Sequence, residues 1–128
     1  MEKEIIYISN LHFEEEVWRR QLYCWQDELI FFYNRLSEMA TRWISKEELA
    51  KLEYFQNKFT RHDGVIEDLL EAIQVHEKRI SGQYTVENTN NDNYLISKHL
   101  GFRSNMESQQ KIYTDLKKEF FLYFTQNQ

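Results

Sequence analysis

The sequence predicts an all-α protein, an elongated antiparallel bundle of three long helices, on the strength of three observations. Apolar residues recur at alternating three- and four-residue intervals through most of the chain, which is typical of helices packed in a bundle or coiled coil. Proline is absent and glycine occurs only three times, although these residues mark the turns of sheets and of multi-turn folds. An apolar content of 41% in 128 residues is enough for one domain with a packed core.

The first helix is predicted at residues 10–44, after a short N-terminal tail at 1–9. Asn10 can cap this helix, and the glutamates at 14–16 then lie near the positive end of its dipole. One polar side chain, that of Glu15, interrupts the row that faces the core. This row consists of Leu11, Glu15, Trp18, Leu22, Trp25, Leu29, Phe32, Leu36, Met39 and Trp43.

The second helix is predicted at residues 46–81. Ser45 and Glu48 form a capping-box sequence, in which each side chain bonds to the backbone amide of the other residue. So short a connection implies antiparallel packing. Gly64 faces away from the core, so we expect one continuous helix with a local weakness or a kink there, ending near Gly82. The core-facing row is Leu52, Phe55, Phe59, His62, Ile66, Leu69, Ile73, His76 and Ile80.

The third helix is predicted at residues 93–125, after a polar loop at 83–93 in which Asp92 or Asn93 can serve as the cap. Gly101 lies inside this helix and is a second weak point. We expect residues 10–128 to form a single helical-bundle domain. The core-facing row is Leu95, His99, Phe102, Met106, Gln109, Tyr113, Leu116, Phe120 and Tyr123.

The composition argues against several classes of partner. The net charge is −5 and there is no run of lysine and arginine, so neither nucleic acid nor an anionic membrane is expected as a partner. No apolar run approaches the ~20 residues of a membrane span, and the N-terminal residues lack the pattern of a signal peptide. Cys24 is the single cysteine, which suits a reducing compartment. We therefore expect a cytoplasmic protein.

Catalytic signatures are missing from the sequence. There is no glycine-rich phosphate loop, nucleophile elbow, zinc-protease motif or Cys-x-x-Cys pair. A narrow bundle of three helices also leaves little interior room for a substrate pocket of ~300–1,000 Å³. We therefore expect no enzymatic activity, and no cofactor other than a metal ion such as zinc or iron.

Apolar residues outside the core-facing row of the first helix predict an interaction surface. Tyr23, Cys24, Ile30 and Phe31 are the members of this surface patch, and they fall in pairs one heptad apart. Apolar patches of this kind usually mark an interface, and a two-fold homodimer is the simplest way to cover one. The alternatives are that the segment Ile5–Ile8 folds over the patch, or that these are scattered surface residues.

The polar residues of the three rows can be placed by antiparallel geometry. If the first two helices turn at the capping-box serine, residues whose numbers sum to about 90 lie side by side, and Glu15 lies beside residue ~75. If the last two helices turn in the middle of the polar loop, the sum is about 174, and His76 lies beside residue ~98. Glu15, His76 and His99 are therefore expected in one layer near one end of the bundle, with His12 at its edge.

Three interpretations of this layer are open. The favoured one is a hydrogen-bonded core network in which Glu15 holds one or both imidazoles. In such a network the carboxylate should raise the histidine pKa values, because it favours the charged imidazole. The second is a metal site, since histidine and carboxylate together are ligands for Zn²⁺ or Fe²⁺. The third is a pH switch in which the histidines become charged together below neutral pH.

His62 is expected near the middle of the bundle, away from that layer. The same arithmetic places it beside the first helix around Glu28 and beside the third helix around Ile112. A neutral imidazole that donates a hydrogen bond to Glu28 or Gln109 would set the register of the helices and carry no chemistry.

Two classes of function are compatible with these observations. The first is a non-enzymatic interaction protein that acts through its helix faces, as a homo-oligomer or with a protein partner. The second is a small metal-binding or pH-sensing bundle built on Glu15, His76 and His99. Known ligand motifs do not support the second class, because no histidine follows a glutamate by three residues, as in ferritin-like di-iron bundles.

Overall fold

The computed structural model describes the backbone of residues 8–42, 44–83 and 89–126, and the side chains of 10–42, 44–79 and 94–126. Within these residues the chain forms three helices and no strand: α1 (Ile8–Ala40), α2 (Lys46–Gln83) and α3 (Thr89–Gln126). The all-α three-helix prediction is confirmed. Helices of 33 and 38 residues are about 50–57 Å long.

The three helices run in alternating directions, with α1 and α3 each packed along α2. Side chains of α1 also contact α3 directly. Glu14 contacts His99, and further along both helices Glu28 contacts Tyr113, so residue numbers increase in the same direction on α1 and α3. α1 and α3 are therefore parallel to each other and antiparallel to α2.

The core consists mainly of the predicted apolar rows. Burial of each large apolar side chain contributes roughly 1.5–3 kcal/mol, so these rows are the main source of stability of the bundle. Trp43 lies outside the described residues, as does the side chain of Ile80. The largest cluster of buried apolar residues is Trp18, Leu22, Trp25, Leu29, Phe32, Leu36, Met39, Leu52, Phe55, Phe59, Ile66, Leu69, Ile73, Met106, Tyr113, Leu116 and Phe120.

The start of α2 follows the predicted capping box. The backbone amide of Glu48 donates to Ser45 Oγ at 3.1 Å, and the Ser45 amide donates to Glu48 Oε1 at 3.5 Å. α2 is continuous through Gly64, as predicted. A methyl group added at Gly64 or at Gly101 would meet nothing within 4 Å, so neither glycine is needed for close packing.

The ends of α1 differ from the prediction. α1 begins at Ile8, so Asn10 is inside the helix and is not its N-cap, and the glutamates at 14–16 lie beyond the first turn. The helix ends at Ala40 instead of residue 44. There the Thr41 and Arg42 amides bond back over three residues, and the Thr41 hydroxyl donates to the Glu38 carbonyl at 2.7 Å. These shorter bonds tighten the last turn and end the α-helix.

The start of α3 is four residues earlier than predicted. The helix begins at Thr89, so Asp92 and Asn93 lie within it and do not cap it. The polar residues of this stretch occupy the first turn, where backbone amides have no partner inside the helix. α2 ends at Gln83, two residues beyond the predicted end at 81 and one beyond Gly82. The tail at 1–7 lies outside the described residues.

Candidate metal centre

Three polar side chains from three different helices meet near the end of the bundle that carries the second connection. Glu15 of α1, His76 of α2 and His99 of α3 each place one metal-ligating atom within 4.8 Å of the other two. Their side chains are 1%, 3% and 1% exposed. The antiparallel arithmetic thus placed the right residues together, because a fixed rise per residue on each helix makes distance along the bundle predictable.

This layer is not the hydrogen-bonded network that we favoured from the sequence. His76 Nε2 is 3.9 Å from Glu15 Oε2, which is too long for a hydrogen bond. Both Glu15 oxygens, both His76 nitrogens and His99 Nδ1 are buried and make no hydrogen bond to any group that the structure describes. Each such group costs about 1–3 kcal/mol, and native structures contain few of them.

His12 lies at the edge of the layer, as predicted. His12 Nδ1 is 3.9 Å from Glu15 Oε1, and the His12 side chain is 30% exposed. It is close enough to approach the layer through a change of rotamer.

Burial sets the charge state of the layer. It raises the pKa of Glu15 to about 7, with a further contribution from the charge of Glu77 and an opposing one from Arg19. It lowers the pKa of His76 to about 4, and the nearby charges of His99, Arg79 and Lys98 act in the same direction.

Burial also lowers the pKa of His99. The expectation that Glu15 raises the histidine pKa values is therefore wrong. Desolvation disfavours every charged form in the layer, and Glu15 is itself largely neutral below neutral pH.

A fourth residue of the layer was missed at the level of sequence. Glu14 Oε1 is 2.7 Å from His99 Nε2, and Arg103 donates two hydrogen bonds to the Glu14 carboxylate, at 2.8 and 2.9 Å. Arg103 is the main cause of the lowered pKa of Glu14. The sequence pattern indicated for Glu14 only a position near the positive end of the helix dipole. The available signal was its position beside the core-facing row, one residue before Glu15.

Aromatic rings pack against both imidazoles of the layer, and a groove between α2 and α3 borders it. Trp18 stacks on His99 with ring centroids 4.7 Å apart, and the Phe102 ring lies 5.2 Å from that of His76. Between α2 and α3 an open groove of about 360 Å³ is lined by His76, Arg79 and Lys98, among other residues. The His76 ring borders this groove, but both of its nitrogens are buried.

The donor set of the layer suits a transition-metal ion. Two imidazoles and one carboxylate are ligands for Zn²⁺ and for Fe²⁺. Ligand atoms around a tetrahedral zinc ion lie roughly 3.3 Å apart, so the side chains need to move inward by about 1 Å to bind it.

His62 lies apart from this layer and is held by aromatic rings. Its ring stacks on Tyr113 with centroids 4.1 Å apart and contacts Trp25 at 5.2 Å. Burial lowers its pKa to about 4, and a contact with Gln109 offsets part of this shift, although neither ring nitrogen makes a hydrogen bond of ordinary geometry within the described residues.

Of the two acceptors predicted for His62, Gln109 makes the contact that offsets part of the pKa shift, and Glu28 makes no hydrogen bond to the ring. Glu28 instead accepts from the Tyr113 hydroxyl at 3.0 Å and from Lys117 at 3.3 Å. The α3 residue that stacks on His62 is Tyr113, next to the expected position near residue 112.

The predicted interface residues are exposed on α1. Tyr23, Ile30 and Phe31 are 52%, 58% and 68% exposed, and Cys24 is also exposed. Residues on a helix advance by ~100° each, so Tyr23 and Ile30 form one row, and Cys24 and Phe31 form a neighbouring row about 100° away. The patch is therefore two rows on adjacent sides of α1.

Comparisons with protein families, with curated proteins and with solved structures find no match to this chain. Among the described helices, none combines the length and apolar character that a membrane span requires.

Proposed function

We propose that this chain is a metal-binding three-helix bundle that holds one divalent transition-metal ion between Glu15, His76 and His99. The observation that carries the proposal is the convergence of three buried ligand residues, each of which keeps at least one buried donor atom that makes no hydrogen bond within the described residues. A bound ion would pair one buried atom of each of the three residues at once and so offset part of the cost of burying them.

Zinc is the first candidate ion and ferrous iron the second, as the ligand types imply. Three protein ligands leave at least one position for water or for an exogenous ligand. His12 is the residue best placed to complete a closed site, since it already lies beside Glu15. Because each ligand comes from a different helix, the ion would tie α1, α2 and α3 together and act on the stability of the whole bundle.

The test is a titration of metal-free protein with Zn²⁺, read by calorimetry, and with Co²⁺, read by its visible absorption. We expect one ion per chain, and a stabilisation of about 2.7 kcal/mol when free zinc is a hundredfold above the dissociation constant. Glu15→Gln and His76→Gln should each abolish binding or weaken it at least a hundredfold.

His62→Gln is the matched control, because it removes a buried histidine from the same helix outside the layer. It should leave metal affinity unchanged. Absence of a one-to-one complex in the wild type, or equal loss of affinity in the His62 control, would contradict the metal site. If the protein binds no metal, the layer could respond only to acid, because the histidines become charged only at low pH.

A second candidate function, interaction through the outer face of α1, is supported by the exposure of Tyr23, Ile30 and Phe31. Large aromatic and aliphatic side chains with half or more of their surface in water are candidates for burial by another chain, and a second copy is the simplest partner. This function is independent of the metal layer, because these side chains point away from the core.

The test of the second function is the mass in solution by sedimentation or light scattering. The double substitution Ile30→Glu and Phe31→Lys should convert an oligomer into a folded monomer with an unchanged helical circular dichroism spectrum. A wild type that stays monomeric at high micromolar concentration would contradict self-association through this face.

A further inference from the structure

The environment of His99 determines which of its two ring nitrogens is available to a ligand. We propose that Glu14, held in place by Arg103, fixes His99 in the neutral tautomer that carries its proton on Nε2 and so offers Nδ1 as the metal ligand. This inference rests on the proposed function above. It identifies Glu14 and Arg103 as positioning residues that do not contact the ion.

Glu14 is held in its ionised form by Arg103. Arg103 donates from Nε to Glu14 Oε2 at 2.9 Å and from a terminal nitrogen to Glu14 Oε1 at 2.8 Å. Such a two-point contact is a strong arrangement between a guanidinium and a carboxylate. Because it favours the ionised form, Glu14 is a carboxylate at neutral pH and can only accept hydrogen bonds.

The charge of Glu14 sets the direction of the hydrogen bond to His99. Glu14 Oε1 lies 2.7 Å from His99 Nε2, and the carboxylate has no proton to give, so Nε2–H must be the donor. The ring is almost completely buried, which disfavours a second proton. Nδ1 therefore keeps its lone pair, and it is the ring nitrogen that makes no hydrogen bond with the described residues.

The His99 ring is held in one orientation by two neighbours. Trp18 stacks on the His99 ring at 4.7 Å, so the ring plane is held on one face while Glu14 holds one edge. A carboxylate that accepts the outer N–H of a metal-ligating histidine both selects the tautomer and raises the basicity of the other nitrogen. In this bundle the carboxylate is that of Glu14 on α1, one residue before the proposed ligand Glu15, and the histidine is on α3.

The chain supplies a matched control two heptads further along the same helices. Glu28 is fourteen residues after Glu14, Tyr113 fourteen after His99, and Lys117 fourteen after Arg103. Glu28 likewise accepts from the ring residue and from the base of α3. Glu28→Gln therefore removes an equivalent α1–α3 contact without touching the metal layer.

The test is a long-range ¹H–¹⁵N NMR measurement of histidine tautomers in the metal-free protein, followed by zinc addition. In the wild type His99 should be the Nε2–H tautomer, and zinc should shift the ¹⁵N resonance of Nδ1 most. Glu14→Gln should give a mixture of tautomers at His99 and should weaken zinc binding 10–100-fold. Glu28→Gln should leave both the tautomer and the affinity unchanged.

The results separate this inference from the proposed function. A wild type that binds no zinc overturns the metal site, while the tautomer of His99 in the metal-free protein still decides the role of Glu14. An Nδ1–H tautomer in the wild type, which needs no variant to observe, overturns the inference. The inference is also overturned if a folded Glu14→Gln protein keeps the wild-type tautomer at His99, or if Glu28→Gln weakens zinc binding as much as Glu14→Gln does.

Discussion

Two layers of this bundle use the same contact between α1 and α3 and yet differ in what they can do. In both, a glutamate of α1 accepts hydrogen bonds from a ring side chain of α3 and from a basic side chain one turn later on α3. In the first layer these residues are Glu14, His99 and Arg103. In the second they are Glu28, Tyr113 and Lys117. In the first layer the ring is an imidazole with a second nitrogen for another ligand. In the second, the phenol has only its hydroxyl, which the glutamate already uses.

The histidines of α2 show the same difference. His76 lies beside Glu15 and the His99 ring, so three ligand residues converge. His62 lies against Tyr113 and Trp25, both of which offer it ring faces and no ligand atom. Burial lowers the pKa of both histidines to about 4. A depressed pKa is therefore a property of burial in this core, and convergence of donors is what distinguishes the first layer.

The largest effect that would sharpen the comparison is the pH dependence of metal binding. Burial raises the pKa of Glu15 to about 7, and metal needs the carboxylate, so one proton must leave below that pH. The affinity for zinc should fall about tenfold per pH unit below pH 7 and be about a hundredfold weaker at pH 5 than at pH 8.

The measurement is calorimetry at several pH values in buffers with different ionisation enthalpies, which also counts the protons released. The His62→Gln control should show the same dependence, because His62 is in the other layer. Release of two protons per zinc at pH 6 would mean that a histidine carries a proton in addition to Glu15 in the metal-free protein, which would contradict the lowered pKa values of the histidines.

The second effect concerns acid stability at the His62 layer. A histidine whose pKa is about 6.5 unfolded and about 4 folded favours folding fully above pH 6.5, and that stability is lost as the pH falls toward 4. Between pH 7 and pH 4.5 this amounts to roughly 2–3 kcal/mol. His62→Met should remove this part of the acid sensitivity.

Urea unfolding of wild type and His62→Met at pH 7 and pH 4.5 measures the difference. The same decline in unfolding free energy for both proteins would show that His62 is not held neutral by its aromatic neighbours. Zinc should not alter the His62 contribution, since the ion is expected in the other layer only.

The smallest effect compares the helix backbone beside the two layers. Gly64 lies two residues after His62, and Gly101 two residues after His99. Both are helical, and neither has an atom within 4 Å of an added methyl group. Gly64→Ala and Gly101→Ala should each stabilise the protein by about 0.5–1 kcal/mol.

Thermal unfolding of the two alanine variants is the check, with the double variant as a test of additivity. The sites are on different helices and far apart, so the effects should add. A destabilising alanine at either site would mean that the helix is bent there in solution.

Sequence reasoning reached the architecture of this protein and the membership of its polar layer. The heptad rows, the Ser45–Glu48 capping box and the convergence of Glu15, His76 and His99 depend on periodicity and on chain length between turns. Both are regular properties of helices, and both can be counted. The exact helix ends were not predicted, because the last hydrogen bonds at Thr41 and the start at Thr89 depend on local backbone geometry, which the hydrophobic periodicity does not describe.

Only the tertiary structure decided which partner each polar group has and which charge it carries. Position on a helix made Glu28 one of two acceptors predicted for His62, but a side chain reaches several neighbours, and Glu28 accepts from Tyr113 and Lys117 instead. Glu15 was expected to hold one or both imidazoles by hydrogen bonds, yet it lies 3.9 Å from His76, and both groups are desolvated. Desolvation depends on what surrounds a group in all directions, whereas the sequence orders neighbours along one dimension only.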